Sequence, residues 1–305
     1  MEDTIKKENL EEYNAFNHLI DKTNKNQYLF KENIPLIQTL ILLTKADEAK
    51  NILEIGCAQG VGTHTIFSQN RSPGNIVGID ISDKMLAKAV ENFKANVNFT
   101  CNPHNQLQLL SVKANEKITL TDNAEGKTVT LIQCDCESIP YADEQFDSYI
   151  CSLTLHHADD YTQSVKEAYR VLKKGGKFGV GEFGDKSQNI YNLIYQILEK
   201  YGLKTPSAKI FRIADDIKGF IKICSEAGFK NIKYGYTNIF KANFDKDNVV
   251  KNLHEKIKIQ LNELKDKDKD KYEALMTELN NALNQYFVVD NKVAMMNCIC
   301  IFGEK

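Results

Sequence analysis

Arginine is nearly missing from this chain. Of its 39 basic residues only Arg71, Arg170 and Arg212 are arginine, so the planar forks that clamp carboxylates and phosphates in pairs must be few. Positive charge is not in excess either. The 39 Lys and Arg stand against 41 Asp and Glu, a formal net charge of −2 over 305 residues, which gives no electrostatic reason to expect a nucleic-acid partner. No apolar run approaches the roughly 18 residues that a membrane-spanning helix needs. The opening Met-Glu-Asp-Thr-Ile-Lys-Lys-Glu has neither the apolar centre of a secretion signal nor an Arg-rich amphipathic pattern. Eight cysteines are present, yet none forms a Cys-x-x-Cys pair, and most sit in apolar runs where a thiol behaves as a small buried hydrophobe. Cys134-x-Cys136 and Cys298-x-Cys300 read as packing rather than as metal ligands. The expectation is a cytoplasmic protein in a reducing compartment, with no membrane span, no metal and no nucleic acid.

What is present centres on residues 51–62, Asn-Ile-Leu-Glu-Ile-Gly-Cys-Ala-Gln-Gly-Val-Gly, followed by Ile76-Val-Gly-Ile running into Asp80. An apolar strand that ends in closely spaced glycines brings backbone and a helix N-terminus near a ligand. An acid at the tip of the next strand can accept the hydroxyls of a ribose. A dinucleotide fingerprint needs Gly-x-Gly-x-x-Gly, and here the position two after Gly56 is Ala58. That template fails. The segment Glu54-Ile-Gly56-Cys57-Ala58-Gln-Gly60 instead resembles the first motif of the class I S-adenosylmethionine (SAM) methyltransferases, Asp/Glu-x-Gly-x-Gly-x-Gly. Alanine takes the place of the middle glycine, tolerable where φ stays negative.

Three further segments follow in the order of that family. Residues 129–140, with Asp135 and Cys136, resemble its third strand. Residues 146–157, from Phe146 to His156 and His157, resemble the fourth strand and its tip. Residues 168–180 resemble a helix, a Gly175-Gly176 stop and the fifth strand. The nearer likeness is to small-molecule enzymes of the ubiquinone/menaquinone C-methyltransferase type. The resemblance implies a three-layer, Rossmann-like α/β fold with a seven-stranded sheet, order 3-2-1-4-5-7-6 and strand 7 antiparallel. Residues 1–45 are expected to form a helical cap, with Tyr13, Phe16, Leu19 and Ile20 at helical spacing and a second helix from Ile34 to Lys45. Residues 46–243 form the SAM-binding core, 244–290 a helical insertion able to cover the acceptor pocket, and 291–305 the last strand. Between residues 97 and 128 the chain is longer than this fold requires, and an Asp/Asn/Gly-rich turn predicts a hairpin that extends the sheet.

The resemblance also implies the roles. Gly56 and Gly60 shape the loop, with Cys57 and Ala58 between them, and Glu54 orients it. Asp80, followed by Ile81, holds the ribose. Asp135 with Cys136 frames the adenine, and Ser152 and Leu153 line the methionine end. Met85, behind the N-cap expected at Ser82, can touch the adenine, although a methionine at that spacing also serves as core. Methyl transfer from a sulfonium is chiefly positioning catalysis, with the acceptor held in line and water excluded. His156 and His157 are the candidates for a base, against a structural role in capping the turn after them. The acceptor expected is a small molecule; a dimer is possible. Two other functions remain open: a methyltransferase-fold binding or scaffold protein without turnover, and a protein or RNA methyltransferase, disfavoured because the fourth-strand tip reads Leu155-His-His.

Overall fold

The computed structural model describes residues 31–96, 100–101, 117–122, 126–240, 245–247, 249, 253 and 255–305. Most of the expected N-terminal cap, with Tyr13, Phe16, Leu19 and Ile20, lies outside the described residues. Helix α1, Ile34–Thr44, starts with a proline in its first turn and ends on Lys45 in the left-handed conformation. It buries Leu36, Ile37, Leu40 and Ile41. Two glycines of β7 (Leu172–Phe183) admit it, because a Cβ at Gly179 would lie 2.4 Å from Thr44 and one at Gly181 2.9 Å from Leu36.

The central strands are β1 (Asn51–Ile55), β2 (Asn75–Asp80), β5 (Lys127–Gln133) and β6 (Phe146–Ser152). Each is largely buried along its length, and β1 and β2 are mostly apolar, as in parallel strands covered on both faces. Accordingly β1 pairs in parallel with β2 and β6, β2 with β5, and β6 with β7. Between them run α2 (Val61–Gln69), α3 (Asp83–Asn96) and α4 (Tyr161–Val171). The Asp160 side chain accepts the amides of Thr162 and Gln163 and so caps α4.

Among the described residues the sheet has nine strands in the order β3-β4-β5-β2-β1-β6-β7-β9-β8. The seven expected strands keep their order, and two more, β3 (Thr100–Cys101) and β4 (Lys117–Asp122), are added beyond β5. The expected count of seven is therefore corrected: the hairpin predicted from the Asp/Asn/Gly-rich turn adds β4, which pairs antiparallel with β5 from Lys117 opposite Ile132 to Asp122 opposite Lys127, and β3, which was not expected, pairs antiparallel with β4. Strand β9 (Met295–Glu304) runs against β7, since the Gly175 amide donates to the Lys305 carbonyl while Lys177 meets Glu304. Helix α8, Ile217–Ala227, precedes β8 (Lys230–Phe240) and stops at Gly228, whose φ of +113° and the Tyr169 ring beside it leave no room for a Cβ. The short helices α6 (Ser207–Ile210) and α7 (Arg212–Asp215) come before it.

The chain divides into two compact units. Among the described residues, the first comprises those up to 182 with 216–235 and 300–305, the second those within 183–215 and 236–299. In the second, α5 (Ile190–Lys200), α9 (Glu255–Lys267) and α10 (Lys269–Asn284) share one core that includes Ile194, Leu198, Leu261, Leu275, Leu279 and Leu283. The expected insertion is thus packed with the segment that follows β7. Its charge run, 265–270, is helical on both sides of Asp268, whose side chain accepts the Lys271 amide and caps α10. Leu279 is 1% exposed. Leu279→Ala should lower unfolding stability by about 2–5 kcal/mol, read as a shifted urea midpoint; an unchanged midpoint would contradict a core formed by these helices.

Candidate functional site

The site lies in the first unit, at the C-terminal tips of its parallel strands. Ligands of open α/β sheets bind at such tips. Beyond β1 the amides of Gly56 and Cys57 both donate to the Ile79 carbonyl, at 2.8 and 3.0 Å. The chain then turns through three left-handed residues, Gly56 (φ +69°), Ala58 (+44°) and Gly60 (+84°), before α2 begins. A Cβ at Gly56 would lie 2.0 Å from Thr154 Oγ1, and one at Gly60 2.9 Å from the Phe93 ring. Both glycines are therefore required by packing as well as by φ. The condition set for Ala58 is not met, because its φ is positive.

Glu54 is buried and accepts a short hydrogen bond from the Thr63 hydroxyl in the first turn of α2. A Cβ at Gly62 would collide with its Oε1 at 1.6 Å, so this glycine makes room for the carboxyl. Burial pushes the Glu54 carboxyl up to about 7, against the lowering hydrogen bond from Thr63, and nearby Asp80 adds to the rise.

Asp80, 5% exposed, ties the loop to the next helix. Its Oδ2 accepts the Ala58 amide at 2.8 Å and its Oδ1 the Ser82 amide at 2.9 Å. Burial raises its carboxyl to about 6, opposed by these backbone donors. Ser82 in turn caps α3 by accepting the Met85 amide at 3.2 Å.

Strand β5 leads into Cys134, Asp135 and Cys136. The Cys134 amide donates to the Asp80 carbonyl, and Asp135 Oδ1 accepts the Glu137 amide at 2.9 Å. Burial drives the thiol of Cys136 up to about 12, and those of Cys57 and Cys134 upward as well. None of them is an activated nucleophile. One of the three arginines works here: Arg170 donates to the carbonyls of Ile139 and Tyr141 and grips Glu167, which accepts the Ile139 amide. It pins the connection that leaves the site.

A cavity joins these tips. Among the predicted residues it brings together Gly56, Asp80, Ile81, Asp135, Cys136 and His157, and it adds Thr154 and Ala158. Glu54, Cys57, Ala58, Gly60 and Met85 stand outside its lining. Met85 is 3% exposed, in the core reading weighed for it. Ser152 and Leu153 do not line it either. Leu153 has a left-handed φ of +52° and donates its amide to the Gly181 carbonyl, so the chain pivots there and presents Thr154 instead. The two histidines part company: His157 lines the cavity, whereas His156 is 2% exposed with Nδ1 2.6 Å from Glu182 Oε2. Glu182, the residue sequence reasoning missed, had one signal, an acid inside the apolar run Phe178-Gly-Val-Gly-Glu-Phe183. Among the described residues no group of three or more His, Cys, Asp or Glu could hold a metal ion, and no helix is long and apolar enough to cross a membrane.

A left-handed alanine is strained where glycine is not. Ala58→Gly should therefore stabilise the chain by about 0.5–1 kcal/mol, seen as a raised melting temperature; a lowered one would contradict the loop conformation.

Residues 53–180 match the family model of a methyltransferase domain. The chain is similar to the ubiquinone/menaquinone biosynthesis C-methyltransferase UbiE of Rickettsia prowazekii, 29% identical over 154 residues, covering 43% of this chain and 60% of that protein. It is similar also to a demethylmenaquinone methyltransferase of Lactobacillus johnsonii, 28% identical over 141 residues, covering 46% and 47%. It thus spans about half to three fifths of the length of these curated relatives. Two solved structures share the fold. One is a protein of an antibiotic biosynthesis pathway in Anabaena variabilis, assigned as a methyltransferase (TM-score 0.57, 13% identity, 89% of this chain and 97% of that one). The other is the 4+2 cyclase SpnF (TM-score 0.53, 16% identity, 97% and 93%). The residues present also fit SAM: a buried acceptor at Asp80, a turn at Gly56 with no room for a Cβ, and a second acid at Asp135 border one cavity. Over residues 53–180 the chain thus matches a methyltransferase domain.

Proposed function

We propose that this chain is an enzyme that transfers a methyl group from SAM to a small-molecule acceptor. The observation that carries the reading is the cavity bordered by Gly56, Asp80, Ile81, Asp135, Cys136 and His157. The UbiE-type relatives, named for methylation in quinone biosynthesis, support an acceptor of small-molecule size. When bound, SAM supplies an electrophilic methyl group on a positively charged sulfur.

The chain's own residues then have distinct tasks. Asp80 accepts the ribose hydroxyls with the acceptor capacity its two backbone donors leave. Ile81 and Cys136 border the base, and Asp135 accepts from its amino group. The buried carboxylates of Asp80 and Glu54 favour a cationic ligand nearby, because charges interact more strongly where water is thin. His157 is the group in the cavity wall able to take a proton from an acidic acceptor. His156, buried against Glu182, is assigned no such role.

A second reading, ligand binding without methyl transfer, has one observation in its favour: the same fold serves the cyclase SpnF. Calorimetry with SAM and S-adenosylhomocysteine, followed by detection of S-adenosylhomocysteine formed with extracted small molecules, separates the readings. Binding with turnover supports the first, and binding without turnover on any fraction the second.

The raised carboxyls give a pH dependence. In the ligand-free chain Asp80 and Glu54 hold protons that the unfolded chain has released, so the stability they contribute is complete below about pH 4 and is lost as pH rises through about 6 and about 7. A ligand that hydrogen-bonds to ionised Asp80 reverses this for binding. S-adenosylhomocysteine affinity should fall up to about tenfold for each pH unit below 6, and Asp80→Asn should weaken binding and flatten that slope. A wild-type affinity that is constant between pH 5 and 7.5 would contradict the assignment of Asp80 to the ligand.

A further inference from the structure

The tip of β6 reaches the cavity through Thr154, His157 and Ala158, and a single side chain from the neighbouring strand holds that tip. Glu182, near the end of β7, is 0% exposed. Its Oε1 accepts three consecutive backbone amides, those of Thr154 at 3.1 Å, Leu155 at 2.6 Å and His156 at 3.3 Å. The left-handed Leu153 turns the chain so that these amides converge on one oxygen, the concave arrangement in which backbone N–H groups bind anions. The other oxygen, Oε2, faces His156 Nδ1 at 2.6 Å. A carboxylate oxygen there can only accept, which would make Nδ1 of His156 the donor.

The consequences run to both sides of the cavity. Thr154, the first of the three amides, is the residue against which Gly56 packs without room for a Cβ. The His156 ring lies 4.0 Å, centroid to centroid, from that of His157. A carboxylate buried so completely contributes little to stability that well-packed apolar side chains could not. What an apolar residue could not do is fix three amides and an imidazole at one point.

We propose that Glu182 is a positioning residue for the ligand cavity: its carboxylate sets the β6 tip so that Thr154 and His157 line the cavity that Asp80 also borders. This rests on the reading of that cavity as the cofactor site. Glu182→Gln keeps the shape but loses the charge, and its NH2 group cannot accept from Nδ1. Charge-assisted hydrogen bonds are about twice as strong as neutral ones.

The test uses the full chain with S-adenosylhomocysteine as the probe, titrated calorimetrically well below the melting temperature of each variant. Nitrogen-15 histidine and backbone amide spectra are recorded alongside. The wild type should bind and show His156 as the Nδ1–H tautomer. Glu182→Gln should remain folded, shift the amide resonances of 154–157 and lose affinity about tenfold or more, a difference of about 1.4 kcal/mol. His156→Asn, whose amide can donate in place of Nδ1, should stay within about threefold of wild type. If Glu182→Gln fails to fold, Glu182→Asp keeps the charge but not the reach and carries the same comparison. Wild-type affinity in the Glu182 variants, or unmoved 154–157 resonances, overturns the positioning role. A wild type that binds no S-adenosylhomocysteine overturns the cofactor reading instead, and the resonance shifts still decide the role of Glu182.

Discussion

A carboxylate withheld from water at the end of β2 joins two turns that would otherwise be independent. Asp80 takes the amide of Ala58 from the loop after β1 and the amide of Ser82 from the start of α3, while its own carbonyl takes the Cys134 amide from the end of β5. Three strand tips are therefore registered against one residue. The neighbouring Glu54 does the same for α2 through Thr63. Burial raises both carboxyls, to about 6 and about 7, so ionising them in the ligand-free site costs stability, as is common for groups at functional sites.

Another buried carboxylate, Glu182, acts in the same way at a different strand tip. Asp80 organises the tips of β1, β2 and β5, and Glu182 organises the tip of β6. In each case backbone amides converge on an acid near the end of a strand. Side-chain reach, not loop length, then fixes the cavity wall, which explains how loops with left-handed alanine and leucine at 58 and 153 hold a defined shape.

The parts of the fold legible in the sequence were those with local causes. Short segments rich in apolar residues became the buried strands β1, β2, β5 and β6. Ser82 marked a cap through its own backbone preference, and the Asp/Asn/Gly cluster marked the hairpin that lengthens the sheet. The acids at strand ends were legible because a carboxylate closing an apolar run is conspicuous. What escaped was set by contacts distant in sequence. Nothing near Ala58 reveals that Asp80 pulls its amide into a left-handed turn, and nothing near Leu153 reveals that Glu182 makes Thr154, rather than Ser152, face the cavity. Likewise the helices of 255–284 carry their own amphipathic pattern but not the identity of their partner, which proved to be the segment that follows β7.

The most direct test is a crystal structure of the full chain with S-adenosylhomocysteine. The account predicts the ribose hydroxyls on the Asp80 carboxylate and the purine between Ile81 and Asp135–Cys136. A nucleoside bound elsewhere, with Asp80 held by the amides of Ala58 and Ser82 alone, would contradict it.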